Sequence, residues 1–173
     1  QINTYEGDLF YGMGYYSLKQ EDIERATKKA AALKGKDYWT YFKSREGKDH
    51  IVLCRQINSR TNGSKAIGYI FASISENVFA NNTYRLGEFG ESAETFMLDT
   101  NGYVMSSSNR DVILGGKFKD ESVINRIKES SSDRTGTFTA TMGKENHLVV
   151  YKYIKSMSWY AVSIIPFSYI NKT

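Results

Sequence analysis

His50 and Cys54 stand four residues apart in the run HIVLCRQI, a spacing that puts both side chains on one face of a strand. A thiol and an imidazole can act as nucleophile and base, but only with an exposed sulfur and a third group that orients the ring. Nothing around this apolar run supplies either, so it reads as a strand-edge histidine beside a core cysteine. The other histidine, His147, opens a second apolar run, HLVVYKYI. Asp99 precedes Thr100-Asn101-Gly102, where a carboxylate bonds backbone N–H groups two residues on and stabilises a turn. The segments GEFGES and GMGYYS contain glycines, but neither makes a GxGxxG or phosphate-loop pattern between a strand and a helix. With one cysteine and two histidines, no metal-ligand cluster and no internal disulfide emerge. The sequence therefore reads as non-catalytic, with no cofactor and no metal.

Recognition chemistry is better represented. Tyrosine occurs 13 times, and several copies fall in strand-like runs. A pocket for a small polar molecule needs apolar walls with a few placed hydroxyls or charges. Two sets meet that description. One is Tyr38, Trp39, Tyr41 and Arg55, and the other is Ser106, Arg110, Tyr151 and Tyr153. In HLVVYKYI, alternation puts His147, Val149, Tyr151 and Tyr153 on one face and Leu148, Val150, Lys152 and Ile154 on the other.

The elements that would position these residues are legible from periodicity. The chain has 173 residues, 40% of them hydrophobic, which suits one ordinary domain or two small ones with a true core. The formal charge of +4 is scattered, and the most basic stretch, Lys28 to Lys48, is interrupted by Asp37 and Glu46. That pattern favours solubility over nucleic-acid binding. The segment SLKQEDIERATKKAAALKG predicts a helix, with Ser17 and Gln20 as a capping box, Ile23, Ala26, Ala30 and Leu33 as its apolar face, and Gly35 as its stop. DYWTYF, HIVLCRQI and KAIGYIFASI then read as three antiparallel strands, and SENVFANNTYRLG as a short connecting helix ended by Gly87. The pattern restarts with TFMLD and GYVMSSS around the Asn-Gly turn. Next come a helix in DESVINRIKESS, capped by Asp120 with Val123, Ile124 and Ile127 inward, and the strands TGTFTATM, HLVVYKYI and WYAVSIIP. Strand, strand, helix and three strands make a five-stranded antiparallel sheet with helices on it. The upstream helix and three strands repeat that architecture without a recognisable opening hairpin, although DLFYGMGYYS could supply one strand.

In this order, FMLDTNGYVMSS, the helix, GTFTATM, HLVVYKYI and SWYAVSIIP resemble the extracytoplasmic PAS-like fold called the Cache domain. The upstream helix with YWTYF, IVLCRQI and AIGYIFASISENVF is similar to the membrane-distal half of double Cache sensors. Each motif is loose alone, and the order gives the specificity. The resemblance implies an α+β, PAS-like Cache fold, an antiparallel five-stranded sheet flanked by helices. One complete membrane-proximal module would follow a partial membrane-distal one. The implied organisation is a distal module in 1–75, a connecting helix in 76–86, a proximal module in 87–170 and, in 171–173, the start of an exit toward a membrane helix.

By the same resemblance the chain is the small-molecule-sensing region of a bacterial transmembrane histidine kinase, outside the membrane, with dimerisation expected of the parent. The same module also serves chemoreceptors and cyclic-dinucleotide enzymes, and a third reading is a structural or interaction module with filled cores. Double Cache sensors usually bind ligand in the distal module, which favours the Tyr38 set. The stretch RATKKAAALKGKDYWTY holds the residue types of the amino-acid-sensing members at another spacing, so no amino acid is named as ligand. Trp159 is expected to pack on the sheet and to fix the chain's exit.

Overall fold

The computed structural model describes residues 2–4, 9–10, 18–61, 63, 65–84, 93–130 and 134–170. The chain divides into two compact units, 1–79 and 80–173. In the first unit, β1 (Ile2–Thr4) and β2 (Leu9–Phe10) precede α1 (Gln20–Ala32), followed by β3 (Tyr38–Lys43), β4 (Asp49–Asn58) and β5 (Ala66–Ser75). Helix α2 (Glu76–Thr83) carries the chain into the second unit. There, β6 (Glu94–Asp99) and β7 (Val104–Ser107) precede α3 (Glu121–Glu129), β8 (Thr135–Met142), β9 (Glu145–Ile154), β10 (Trp159–Pro166) and the short α4 (Phe167–Ile170).

The two sheets have the same topology. Their strand orders are β2-β1-β5-β4-β3 and β7-β6-β10-β9-β8, and every pairing is antiparallel. This corrects the expected lack of an opening hairpin in the first unit. Strands β1 and β2 pair with each other, and β1 joins β5 through Ile2–Ile70 and Asn3–Tyr69. The hairpin escaped the sequence reading because strands of three and two residues are too short to show a period.

Helix α1 starts later than its sequence suggests. Its N-cap is Lys19, with no side-chain cap, and Ser17 lies outside the described residues, as do Gly87 and the whole of GEFGES and GMGYYS. Ala26 and Ala30 are fully buried and Ile23 nearly so, but Leu33 is 37% exposed because it is already the C-cap. Lys34 and Gly35 then take positive φ of 51° and 88°, the usual left-handed exit from a helix. Cores form on the helix-facing side of each sheet. In the first unit α1 packs on β3 and β4 through Ile23, Ala26, Ala30, Phe42, Val52 and Cys54, and Phe71 of β5 joins the same cluster. In the second, Val123 and Ile127 of α3 join Phe96, Leu98, Val104, Val149, Tyr151 and Val162.

The Asn-Gly turn does two jobs in the second unit. Asp99 accepts from the N–H groups of Asn101 at 2.9 Å and Tyr103 at 2.8 Å, as expected from its place in the turn. Gly102 takes φ of 83°, and a Cβ there would stand 3.1 Å from Ile124 of α3. A tight turn and a close helix approach both call for glycine here. Asp120 caps α3, accepting from the Ser122 N–H at 3.0 Å.

Candidate functional site

Residues directly opposite across antiparallel strands share a face, so the registers decide which candidates meet. In the first unit Tyr38 pairs with Cys54 and Phe42 with His50, and Cys54 pairs with Phe71. Tyr38, Phe42, His50, Val52, Cys54, Tyr69 and Phe71 therefore share the face that α1 covers. Trp39 pairs with Leu53 and Tyr41 with Ile51, and Arg55 pairs with Ile70. Those four-residue candidates are thus split, with Tyr38 under the helix and Trp39, Tyr41 and Arg55 on the opposite face.

On that opposite face the polar groups engage one another. The Tyr41 hydroxyl donates to Asp49 Oδ1 at 2.5 Å, and Lys43 Nζ lies 3.7 Å from the same oxygen. Burial, then the bond to the Asp49 carboxylate, pushes the Tyr41 pKa above the usual tyrosine range. Arg55 is exposed and donates to Asp37 at 3.4 Å.

The helix-covered face holds charge as well as apolar surface. Asp22 and His50 are buried there, at 8% and 1% exposure, and Glu76, the first residue of α2, is buried at 1%. Arg25 reaches Asp22 Oδ1 at 2.6 Å and lies over the Phe42 ring at 5.5 Å. Burial lowers the His50 pKa, which favours the neutral ring. The Cys54 thiol is fully buried and pushed up to about 12 by that burial. A thiol so placed is a poor nucleophile, so geometry and acidity agree with the reading of Cys54 as a core residue.

In the second unit Tyr151 pairs with Val162 and Tyr153 with Tyr160, which puts all three tyrosines on the α3 side. Their rings form a run. Tyr153 and Tyr160 are 5.1 Å apart, Tyr151 and Tyr160 6.4 Å, and Phe138 and Tyr151 6.2 Å. Arg134 lies over Tyr153 at 5.6 Å and Arg126 over Phe138 at 4.5 Å. Burial, then the neighbouring tyrosines, raises the Tyr160 pKa. Gly136, opposite Tyr151, leaves room for that ring, since a Cβ there would stand 2.7 Å from the Tyr151 oxygen. Ser106 pairs with Met97 on the far side of the sheet and is fully buried, whereas Arg110 is exposed in the turn after β7. Tyr151 and Tyr153 are brought together, and Ser106 lies on the other face of the sheet.

Trp159 is buried at 1% exposure, as expected, but at the end of β10 that pairs with Asp99 and Ile154. The chain leaves the sheet at the other end of the strand, where Pro166 pairs with His147. What holds that exit is Glu145, whose carboxylate accepts from the Ser168 N–H at 3.2 Å, and these bonds to Ser168 hold its pKa below the usual range.

A sequence model of the Cache domain matches residues 5–173. The chain belongs to the Cache-domain family. No curated protein matches it. Among solved structures it is similar to the extracellular domain of a protein described as a histidine kinase, rpHK1S-Z16, with a TM-score of 0.71 at 15% identity over 98% of this chain and 70% of that one. It is also similar to the ligand-binding domain of the Pseudomonas aeruginosa amino-acid chemoreceptor PctC in complex with GABA, with a TM-score of 0.60 at 11% identity over 95% of this chain and 70% of that one. A third likeness is to methyl-accepting chemotaxis protein X, with a TM-score of 0.57 at 15% identity over 95% of this chain and 61% of that one. The chain spans 52% and 54% of two further histidine-kinase extracellular domains. At these identities the likenesses establish the fold.

Among the described residues of this Cache chain no group of three metal-ligating side chains occurs. No helix among them is long and apolar enough to cross a membrane. The sequence reading missed Asp22, Glu76 and Tyr160. Asp22 and Glu76 stand in first helical turns, where acidic residues usually face water. Tyr160 could have been found by continuing the HLVVYKYI alternation across the KSMS turn.

Proposed function

We propose that this chain is the extracytoplasmic sensing region of a membrane-anchored bacterial histidine kinase. In this reading the first unit is the membrane-distal module, the second the membrane-proximal one, and neither is catalytic. The observation that carries the sensor reading is the Cache-domain match along residues 5–173. The repeated strand order supports two modules of one kind. The choice of a kinase over a chemoreceptor rests on the sequence resemblance of LCRQINS…AIGYIFASISENVF followed by FMLDTNGYVMSS.

A small molecule would bind on the helix-covered face of a sheet. Tyr38, paired with Cys54, is the sequence-named residue so placed in the first unit, and Tyr151 and Tyr153 are those in the second. A ligand held more tightly in one conformation than another shifts the population between them. The shift would pass along β10 into α4 and onward toward the membrane. A differential affinity of about 1.4 kcal/mol changes the ratio of states tenfold.

The test is a thermal-shift screen of the chain against amino acids, carboxylates, sugars and nucleobases. Ligand at one hundred times its dissociation constant adds about 2.7 kcal/mol, a rise of several degrees for a chain of this size. A hit abolished by Tyr38→Ala places the site in the first unit, and one abolished by Tyr153→Ala places it in the second. A flat screen favours filled, structural modules.

A further inference from the structure

Among the described residues, strand β8 is the terminal strand of its sheet, with β9 as its one strand neighbour. Its eight residues, TGTFTATM, contain no charge and no proline, in a chain that is 24% charged. Such an edge is a template for another strand unless something blunts it. The Tyr153 N–H bonds the Arg134 carbonyl at 2.6 Å, which fixes the phase of the ladder. Backbone groups of Gly136, Phe138, Ala140 and Met142 point to β9, and those of Thr135, Thr137, Thr139 and Thr141 point outward. Those four threonines are exposed and share one face.

One outward group is occupied. Arg126 Nη1 donates to the Thr139 carbonyl at 2.9 Å while its guanidinium lies over the Phe138 ring at 4.5 Å. A charged side chain from α3 thus sits at the centre of an otherwise uncharged edge.

The edge is also self-complementary. Paired antiparallel with itself about Phe138, it sets Thr137 opposite Thr139 and Thr135 opposite Thr141, and these are the residues whose N–H and C=O groups face out. Gly136 then meets Ala140, and Phe138 meets its own copy. Each threonine gains a cross-strand threonine, and the two-fold contact uses the β8 edge of both copies, so that contact closes at a dimer. We propose that β8 is a self-pairing surface for a second copy of this chain and that Arg126 is its guard. This inference is independent of any ligand and of the output the parent carries. A single strand pair is a small interface, so the association is weak and transient.

Sedimentation velocity over micromolar to millimolar concentrations of the whole chain tests this. Arg126→Ala is expected to tighten dimerisation at least about tenfold, and adding Thr137→Lys, which points a charge from the edge, returns it to the parent level. Arg126→Gln serves in place of Arg126→Ala if circular dichroism shows the latter to be misfolded. Three results overturn the proposal: no gain in association on losing Arg126, a gain that Thr137→Lys leaves intact, or assembly beyond a dimer.

Discussion

Replacing Gly136 with alanine probes the placement of the Tyr151 ring. The backbone at Gly136 needs no positive φ, so the issue is space alone. An added Cβ would stand 2.7 Å from the Tyr151 oxygen and 2.8 Å from two of its ring carbons. The ring has little freedom to retreat, being 4% exposed and bordered by Phe138 and Tyr160. Overpacking a core of this kind costs about 1–3 kcal/mol. Alanine returns roughly 0.5–1 kcal/mol by restricting the unfolded chain relative to glycine. The net expectation is a loss of about 0–2.5 kcal/mol, centred near 1 kcal/mol, read as a lower urea midpoint with an unchanged slope. The cause is isolated by a cycle with Tyr151→Leu. With the ring gone, Gly136→Ala should cost less than about 0.5 kcal/mol or become favourable. A stabilising Gly136→Ala in the native background, or an equal effect with and without the ring, would refute the packing argument.

Other expectations follow from single contacts. Asp99→Ala removes the acceptor for two turn N–H groups and should lower unfolding free energy by about 1–2 kcal/mol, measured by urea titration. Asp120→Ala removes the α3 cap and should cost about 1 kcal/mol in the same assay. Cys54, with its pKa pushed up to about 12, should resist a thiol reagent at pH 8 in the folded chain and react fully in urea, and prompt reaction without denaturant would contradict its burial. Because the Glu145 pKa is lowered by Ser168, its contribution is present above the ordinary carboxylate range and is lost as pH falls through the folded value. The thermal midpoint of the native chain should therefore fall more steeply with acidification than that of Glu145→Gln, and parallel curves would count against the tether.

The sequence alone was enough for most of the secondary structure. Branched and aromatic runs bounded by Gly, Asn and Ser made eight of the strands readable, and 3.6-residue spacing gave α1 and α3. Asp99, Gly102 and Asp120 were legible for the same reason, because turns and caps are local chemistry. The order of these elements pointed to the Cache family that the sequence match confirms. Tertiary pairing decided the rest. Strands as short as β1 and β2 form only because β5 offers an edge to complete.

The site residues show the limit most clearly. Residue type nominated Tyr38, Trp39, Tyr41 and Arg55 together, yet register places Tyr38 under α1 and the other three on the opposite face. Ser106 was parted from Tyr151 and Tyr153 in the same way, since Met97 and not a tyrosine is its cross-strand partner. Alternation along one strand says which residues share a face. Only the pairing of strands distant in the chain says which of those faces is the same one, because hydrogen-bond register is set by contacts that no local window contains.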